Sequence, residues 1–192
     1  HVEARQLPHD AIAEALEAGR IDFAFGYLPA LRGTQRQHLL DERYVVLLRH
    51  DHPLADSLPD RAALQALDFV LVASHVEPAK ALRLLGLEPR IRLTLPHFLV
   101  APSILESSDL AVVMPRRPAL RFAARHALQV VEPDLGLPPF SVSIHWTWRA
   151  ASDPGHQWLR GVVSALSFAA EPAPRARARG GHKASRKSSS DR

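Results

Sequence analysis

The stretch that most limits the fold of this chain covers residues 91–115 and reads IRLTLPHFLVAPSILESSDLAVVMP. Its first five residues alternate between apolar and polar side chains, as in a half-buried strand, and Pro96 ends that run. An apolar segment with helical spacing follows, and residues 110–114 form a second apolar run bounded by Pro115. Strand, helix and strand joined by short links predict a parallel β-α-β unit.

Polar and aromatic residues follow the first strand of this unit, beginning with His97 and Phe98. Small ligands bind at the carboxyl ends of strands in open α/β sheets. We therefore expect His97 and Phe98 to contact a ligand. The alternative for His97 is structural, because a histidine that follows a proline at a strand end is often held by hydrogen bonds within the protein.

The alternation of strands and helices continues on both sides of this unit. Residues 2–6 predict a short strand, residues 8–19 a helix that stops at Gly19, and residues 21–25 another strand. Downstream, strands are predicted in the second half of 37–49 and at 69–73 and 128–131, and helices at 61–67, 79–85 and 117–126. Strands that alternate with helices imply parallel sheets covered on both faces.

Two further patterns lie towards the end of the chain. Residues 140–148 alternate strictly, which predicts a strand with its larger apolar side chains on one side. Asp153 followed by Pro154 is a start signal for a helix. That helix carries an apolar stripe, which requires a partner sheet and consists of Trp158, Leu159, Val162, Val163 and Leu166.

Composition excludes several classes of protein. Cysteine is absent, so the chain has neither disulfides nor thiolate metal ligands. Its apolar runs are too short to span a bilayer and its first residues lack the pattern of a signal peptide, so we expect a soluble, cytoplasmic protein that does not bind membranes. His50 and His52 flank an aspartate, but neighbours two apart in a strand point to opposite faces. We therefore predict no metal site and no cofactor.

The positive charge of the chain is concentrated at its end. Residues 171–192 contain seven Lys or Arg and two acids, and the rest of the chain is nearly neutral. This tail mixes proline, glycine, serine and basic residues with few bulky apolar side chains. It is predicted to be a disordered, solvated extension that contacts phosphates weakly.

Several segments together resemble the effector-binding domain of LysR-type transcriptional regulators, in the branch of nodulation and aromatic-degradation regulators. The resemblance covers about residues 1–168, in order and with matching spacing. The segments that carry it are ALEAGRIDFAFG at 15–26, HPLA at 52–55, LPHF at 95–98, SDLAVVMP at 108–115, Trp146, and DPGHQWLR at 153–160.

The resemblance implies an α/β fold like that of periplasmic binding proteins, with two Rossmann-like subdomains joined by two crossing strands. Residues 1–52 and 140–170 would form lobe one, residues 53–139 lobe two, and residues 171–192 the tail. The family's N-terminal helix-turn-helix and the first strand and helix of lobe one are not matched. We therefore expect lobe one to be incomplete.

The function implied is ligand-gated control of transcription, with a small aromatic effector between the lobes. The intact protein would be a homodimer or tetramer that binds DNA only through the helix-turn-helix. The ligand-binding residues implied are Tyr27, Leu28, Ser74, His75, His97, Phe98, Met114, Pro115 and Trp146. An aromatic acid would suit them, with its carboxylate or phenol group held by protonated His97 and by Ser74. Trp146 could equally occupy a core position instead of the ligand site, and Ser74 could instead cap a helix.

Two other classes of protein are weighed against this one. A solute-binding protein shares the two-lobed fold but requires export. An enzyme would have to use His75, His97 and Ser103 or Ser107, yet the chain has no nucleophile elbow, no glycine-rich phosphate loop and no helix-borne histidine pair. The sequence therefore predicts a protein without catalytic activity.

Overall fold

The chain folds into two α/β lobes, each built around its own sheet. A computed structural model describes residues 1–166, apart from Pro59 and Ser74. The strands are β1 (Ala24–Gly26), β2 (Gln35–Glu42), β3 (Tyr44–Arg49), β4 (Asp68–Val72), β5 (Ile91–Leu95), β6 (Leu110–Pro115), β7 (Leu128–Val131) and β8 (Phe140–Trp146). The α-helices are α1 (Ile12–Glu17), α2 (Arg61–Ala66), α3 (Val76–Leu84), α4 (Ala101–Glu106), α5 (Arg116–Ala123) and α6 (Pro154–Ala165).

The sheet of lobe two has the strand order β5-β4-β6-β3-β7. Strand β4 pairs in parallel with both β5 and β6, and β3 runs antiparallel to β6 and β7. The β-α-β unit predicted from residues 91–115 is confirmed as β5, α4 and β6. Both strands of the unit pair with β4 rather than with each other. The carboxyl ends of β5 and β6 therefore lie on either side of the carboxyl end of β4.

The core of lobe two lies on both faces of this sheet. Residues 45–48 of β3 are fully buried, and their side chains alternate between the two faces. Val46 and Leu48 pack with Phe69 under α2 and α3, whereas Val45 and Leu47 pack with Met114 under α4 and α5. A strand buried on both faces is a continuous apolar run, which is why this part of the sequence predicts a strand so clearly.

Lobe one has a smaller sheet and a smaller core. Its strand order is β1-β8-β2, with both outer strands antiparallel to β8. One cluster of buried side chains in this core consists of Ile12, Leu16 and Ala24. The helix predicted at residues 8–19 is confirmed as a short 3₁₀ helix followed by α1, and Gly19 follows with a φ of +67°, a conformation that favours glycine.

Two predictions for lobe one were wrong in detail. Residues 2–6 form no strand and lie exposed, because no strand in the described part of the chain pairs with them. The strand predicted at residues 21–25 is shorter and later, at Ala24–Gly26, where it can pair with β8. An alternating sequence forms a strand only if a neighbour satisfies its backbone groups.

The chain crosses from lobe one to lobe two before residue 52, the boundary predicted from the sequence. Residues 35–42 pair with β8 in lobe one, whereas β3, only one residue further on, pairs with β6 and β7 in lobe two. The physical reason is that residues 35–42 are mostly polar, whereas Tyr44–Arg49 is apolar enough for the centre of a sheet. The sheets therefore divide the chain at Arg43, and the chain returns to lobe one through β8.

The last helix, α6, begins where the sequence predicts, but its apolar stripe is not fully packed against a sheet. The Asp153 carboxylate accepts a hydrogen bond from the backbone N–H of His156 at 2.7 Å, as an N-cap does. The Trp158 side chain of α6, however, is 70% exposed, and Val162 and Leu166 are also exposed. Within residues 1–166, the apolar stripe of α6 is thus only partly covered.

No described helix has the length and apolar character to cross a membrane.

Hydrogen exchange is expected to be faster in lobe one than in lobe two. Strand β1 is only three residues long and is paired along one edge, and the core beneath it is small. Local opening is therefore expected to cost less there than in β3, β4 and β6, which are buried on both faces. Exchange measured by mass spectrometry should show residues 12–26 exchanging before residues 44–49 and 110–115. Equal protection of both regions would contradict this prediction.

Candidate functional site

The carboxyl ends of the parallel strands of lobe two form one edge of its sheet, facing lobe one. β4 leads to His75 and α3, β5 leads to His97 and Phe98, and β6 leads to Pro115 and α5. Strand β3 starts at the same edge, because Tyr44 pairs with Pro115. Neighbouring strands are about 4.8 Å apart, so these residues lie in one continuous row.

His75 and Phe98 form an aromatic pair at this edge. Their ring centroids are 4.5 Å apart in an edge-to-face arrangement. Burial lowers the pKa of His75, and the nearby His9 lowers it further. His9 belongs to lobe one, so a charge of one lobe acts on a side chain of the other. A low pKa keeps the imidazole of His75 neutral, and it can both donate and accept a hydrogen bond.

A second aromatic group lies where the chain crosses between the lobes. The Phe140 ring centroid is 5.1 Å from that of Tyr27 and 4.7 Å from that of Tyr44. Tyr27 follows β1 of lobe one, whereas Tyr44 and Phe140 begin β3 and β8. Burial raises the pKa of Tyr44, with further contributions from Glu77, Tyr27 and Glu42. Tyr44 therefore keeps its phenolic proton and can donate a hydrogen bond.

Glu42 connects the sheet of lobe one to a helix of lobe two. Its side chain accepts three backbone hydrogen bonds, with Oε1 at 2.9 Å from the nitrogen of Arg43 and 3.1 Å from that of Arg116, and Oε2 at 3.0 Å from that of Arg117. Arg116 and Arg117 are the first residues of α5, whose amino end attracts a carboxylate. Glu42 is only 7% exposed, so it positions the two lobes at the crossing.

The structure brings five of the predicted ligand-binding residues together. Tyr27 and Phe98 belong to the two aromatic groups, and His75 lies beside Phe98. His97 is exposed at the end of β5, and Pro115 is half-buried opposite Tyr44. Four of them lie at the edge of the lobe-two sheet, and Tyr27 meets that edge through Phe140; this region is called the inter-lobe cleft. Ser74 lies outside the described residues.

Three predicted ligand-binding residues lie elsewhere. Met114 is fully buried in the core of lobe two, and Leu28 packs partly buried against the core of lobe one. Trp146 lies at the far end of β8, where its indole N–H donates to Gln35 at 2.9 Å and the Arg160 guanidinium lies 4.5 Å above its ring. Trp146 thus occupies the core position that the sequence also allowed.

Tyr44, Phe140 and Glu42 were not among the predicted site residues. Tyr44 and Phe140 are at the starts of predicted strands, whereas the rule that small ligands bind at carboxyl strand ends points to residues at the other end of a strand. A signal for Tyr44 existed, because a strand that runs against the parallel strands begins at the edge where those strands end. No local pattern distinguishes Glu42 from other acids in the chain, since its role depends on α5, which is distant in sequence.

A concave surface of about 400 Å³ lies at the other end of lobe one. It is open to solvent and lies between the end of α1 and the start of α6, far along β8 from Phe140. Its lining includes Leu16, Ile21, Asp22, Arg149 and His156. This surface contains none of the aromatic residues of the cleft, and we do not assign the effector to it.

His52 has a structural role. Its Nδ1 accepts a hydrogen bond from the backbone N–H of Leu54 at 3.1 Å, and its Nε2 lies 3.1 Å from the backbone oxygen of Asp109. Both ring nitrogens are therefore already used within the protein. Among the described residues, no group of three or more histidine and carboxylate side chains is arranged to hold a metal ion.

The family follows from a comparison with known protein families. Residues 1–166 match the model of the LysR substrate binding domain. The chain belongs to the LysR substrate-binding domain family. The match includes both lobes and both crossings, so the LysR fold accounts for the whole described structure.

Individual relatives agree with this assignment. The chain is 33% identical over 167 residues to the HTH-type transcriptional activator NagR of Ralstonia sp, which covers 83% of this chain and 56% of NagR. It is 34% identical over 162 residues to the HTH-type transcriptional regulator SyrM 1 of Sinorhizobium fredii, covering 81% of this chain and 48% of that protein. The chain thus spans about half the length of the curated relatives it matches.

Solved structures show the same fold. The probable transcriptional regulator PA0477 from Pseudomonas aeruginosa superposes with a TM-score of 0.67 at 30% identity, over 83% of this chain and 53% of that chain. The regulatory domain of MexT from the same organism gives a TM-score of 0.64 at 22% identity, over 80% of this chain and 76% of that one. The two-lobed α/β architecture predicted for this LysR domain is confirmed.

The stability of this LysR domain is expected to rise with pH below about 6.5, the usual pKa of histidine in an unfolded chain. Burial and the nearby Arg36 lower the pKa of His145, and burial also lowers that of His75. Between the folded and unfolded pKa values the unfolded chain binds more protons than the folded chain. The free energy of unfolding is therefore at its maximum above about pH 6.5 and decreases as pH falls through the folded pKa.

Urea unfolding at a series of pH values, followed by tryptophan fluorescence, measures this effect in lobe one, where His145 lies. The three tryptophans of the chain, at 146, 148 and 158, all belong to lobe one. A His145→Gln variant should show a smaller slope of stability with pH in this range. An unchanged slope would show that titratable groups other than His145 cause the pH dependence of stability.

Proposed function

We propose that this chain is the effector-binding part of a LysR-type transcriptional regulator, and that a small aromatic molecule binds in its inter-lobe cleft. The observation that supports this most is that two groups of aromatic rings, from lobe one, lobe two and the crossings, lie along one edge of the lobe-two sheet. Tyr27, Tyr44, Phe140, His75 and Phe98 contribute those rings. Aromatic side chains provide stacking surface for a planar ligand, and neighbouring polar groups orient it.

Binding in the cleft would control the relative position of the lobes. A ligand that contacts His75 of lobe two and Tyr27 of lobe one has a higher affinity when the lobes are close. It can shift the equilibrium only by the difference in its affinity for the two arrangements. In the intact regulator, that shift would be transmitted to attached DNA-binding domains.

The proposal extends to partners and location. The intact protein is proposed to form a homodimer or tetramer, to bind DNA through a helix-turn-helix and to act in the cytoplasm. The relatives NagR and SyrM 1 are named as HTH-type transcriptional regulators, which supports a regulator over a solute-binding protein. The same names support a function without catalysis.

A thermal-shift screen of aromatic acids, phenols and flavonoids with the 192-residue chain tests the proposed site. A ligand at a hundred times its dissociation constant adds about 2.7 kcal/mol to the free energy of unfolding, so Tm should increase by several degrees. Tyr27→Ala and Phe98→Ala should each weaken the response. Trp148→Ala, an exposed aromatic residue away from the cleft, is the control. Responses that survive both cleft substitutions would contradict the proposed site.

A further inference from the structure

We propose that one face of α5 in lobe two binds the phosphate backbone of duplex DNA, independently of base sequence, through Arg117, Arg121 and Arg125. These residues, called here the arginine stripe, are spaced four apart and lie on one side of the helix on successive turns. Arg125 is in the turn that continues α5, where its backbone N–H donates to the oxygen of Phe122 at 3.0 Å. The inference rests on the proposed function only because a transcriptional regulator meets DNA. It departs from the expectation that DNA is bound only through a helix-turn-helix.

In the described part of the chain, no ion pair holds the arginine stripe. Arg121 and Arg125 are exposed, and neither has an ion pair or a side-chain hydrogen bond within residues 1–166. Arg117 is half-buried, and its buried Nε has no hydrogen-bond partner. The three guanidinium groups therefore keep their capacity to bind an anion from outside the molecule.

The acids around α5 are engaged elsewhere. Glu42 accepts the first backbone N–H groups of the helix, and Glu132 contacts the Arg116 guanidinium at 2.7 Å. Glu106, at the end of α4, accepts a backbone hydrogen bond at 2.8 Å just beyond α5. Asp41 accepts a hydrogen bond at 2.8 Å from a serine hydroxyl of β8. The positive charge of the arginine stripe is thus not neutralised by these carboxylates.

This arrangement of charge destabilises α5 in the free protein. Arg117 with Arg121, and Arg121 with Arg125, are like-charge pairs at the i,i+4 spacing, and α5 contains no acid to offset their repulsion. Arg117 also lies in the first turn, where the helix dipole disfavours a cation. A polyanion relieves this repulsion when it binds, and the release of its counterions favours the complex.

The same face of α5 lacks the apolar anchor that a protein partner would use. The large apolar side chains exposed in the described part of the chain all lie on other elements, and Phe122 of α5 packs half-buried against the core of lobe two. Interfaces between proteins centre on buried apolar or aromatic side chains, whereas protein–DNA interfaces are polar and strongly positive. DNA is therefore the better fit.

The spacing of the arginine stripe also suits a duplex. Arg117 and Arg125 are separated by about 12 Å along the helix axis, at about 1.5 Å per residue. Over that length a duplex presents a phosphate charge about every 1.7 Å. Each arginine can therefore reach a different phosphate group.

Fluorescence anisotropy with a short labelled DNA duplex and the 192-residue chain, over a series of salt concentrations, tests this inference. The double variant Arg121→Gln, Arg125→Gln should bind about tenfold more weakly at about 50 mM salt. The slope of the logarithm of affinity against the logarithm of salt concentration should become less steep by about 1.8, because each lost phosphate contact contributes about 0.9. Arg20→Gln, Arg83→Gln is the matched control, since it makes the same charge change at exposed arginines that already pair with glutamates. It should leave the slope nearly unchanged.

A third double variant, Arg175→Gln, Arg177→Gln, makes the same charge change in the basic tail. If only this variant weakens binding, or if the Arg121, Arg125 variant behaves like the control, the inference is overturned. The inference also fails if the parent chain does not bind the duplex. It fails again if polyglutamate binds more tightly than the duplex and the Arg121, Arg125 variant abolishes that binding, since the partner would then be an acidic protein.

The proposed function is decided separately from this inference. Arg121 and Arg125 lie outside the inter-lobe cleft, so the thermal-shift response to an aromatic ligand should be the same in the parent and in all three double variants. A preserved response in the Arg121, Arg125 variant also shows that the protein is folded, so that a loss of DNA affinity reports on the arginine stripe itself.

Discussion

Replacing Glu42 with alanine is expected to lower the free energy of unfolding by about 3 kcal/mol. The Glu42 carboxylate is buried and accepts three backbone hydrogen bonds, two of them from the first turn of α5. Alanine removes the acceptor and leaves those buried N–H groups without it. Leaving a buried donor unsatisfied costs about 1–3 kcal/mol, and bonds to a charged acceptor are at the upper end of the range.

Urea unfolding followed by circular dichroism measures this effect. Glu42→Gln keeps one acceptor oxygen and should lose about half as much stability. Glu14→Ala is the matched control, because the Glu14 carboxylate is exposed and pairs only with Arg20 at the surface. Exposed pairs of this kind contribute less than about 1 kcal/mol. A Glu42→Ala variant as stable as the Glu14→Ala variant would show that α5 does not depend on this cap.

Leu47→Ala is expected to have the other large effect, a loss of about 2–5 kcal/mol. Leu47 is fully buried in β3, between β6 and β7, and packs with Val45, Val112 and Met114 in the core under α4 and α5. Truncating it removes apolar contacts and leaves a cavity that β3 cannot move to close, because ladders with β6 and β7 hold it on both sides.

Leu84→Ala provides the control with the same change of side chain. Leu84 is 74% exposed on α3, and alanine is a good helix former, so this variant should stay within about 0.5 kcal/mol of the parent. Circular dichroism reports on both lobes, whereas tryptophan fluorescence reports on lobe one. If the lobes unfold independently, Leu47→Ala will shift the first signal and leave the second nearly unchanged. Equal midpoints for the two leucine variants would contradict the packing described for β3.

The parts of the fold that depend on local pattern could be predicted from the sequence. The apolar runs at residues 45–48 and 110–115 are strands because both faces of each are buried, and the Asp153-Pro154 pair starts α6 because its chemistry is complete within a few residues. Residues 2–6 failed because strand formation needs a partner in register, and an alternating pattern does not name one. The crossing at Arg43 was misplaced for a related reason, since pairing assigns β3 to lobe two.

The residues of the candidate site likewise divide into those that a local pattern indicates and those that depend on long-range pairing. His75, His97 and Phe98 were predicted from the strand ends, and the structure places them after β4 and β5 at one sheet edge; their contact with a ligand stays a prediction. Tyr44 and Phe140 required long-range register, because Tyr44 reaches the cleft only by pairing with Pro115. Met114 shows the remaining difficulty, because the last residues of a strand alternate between core and cleft and the sequence alone does not say which face is covered.

The pairing of Glu42 with Phe140 has a consequence for motion. The two crossings of the chain run side by side at this point, so the connection between the lobes is a narrow two-stranded ribbon with a single axis. Relative motion of the lobes is thereby restricted to bending and twisting about that axis. The distance between labels at exposed residues outside the proposed site, Glu14 on α1 and Leu84 on α3, would report how far a bound molecule closes the domain.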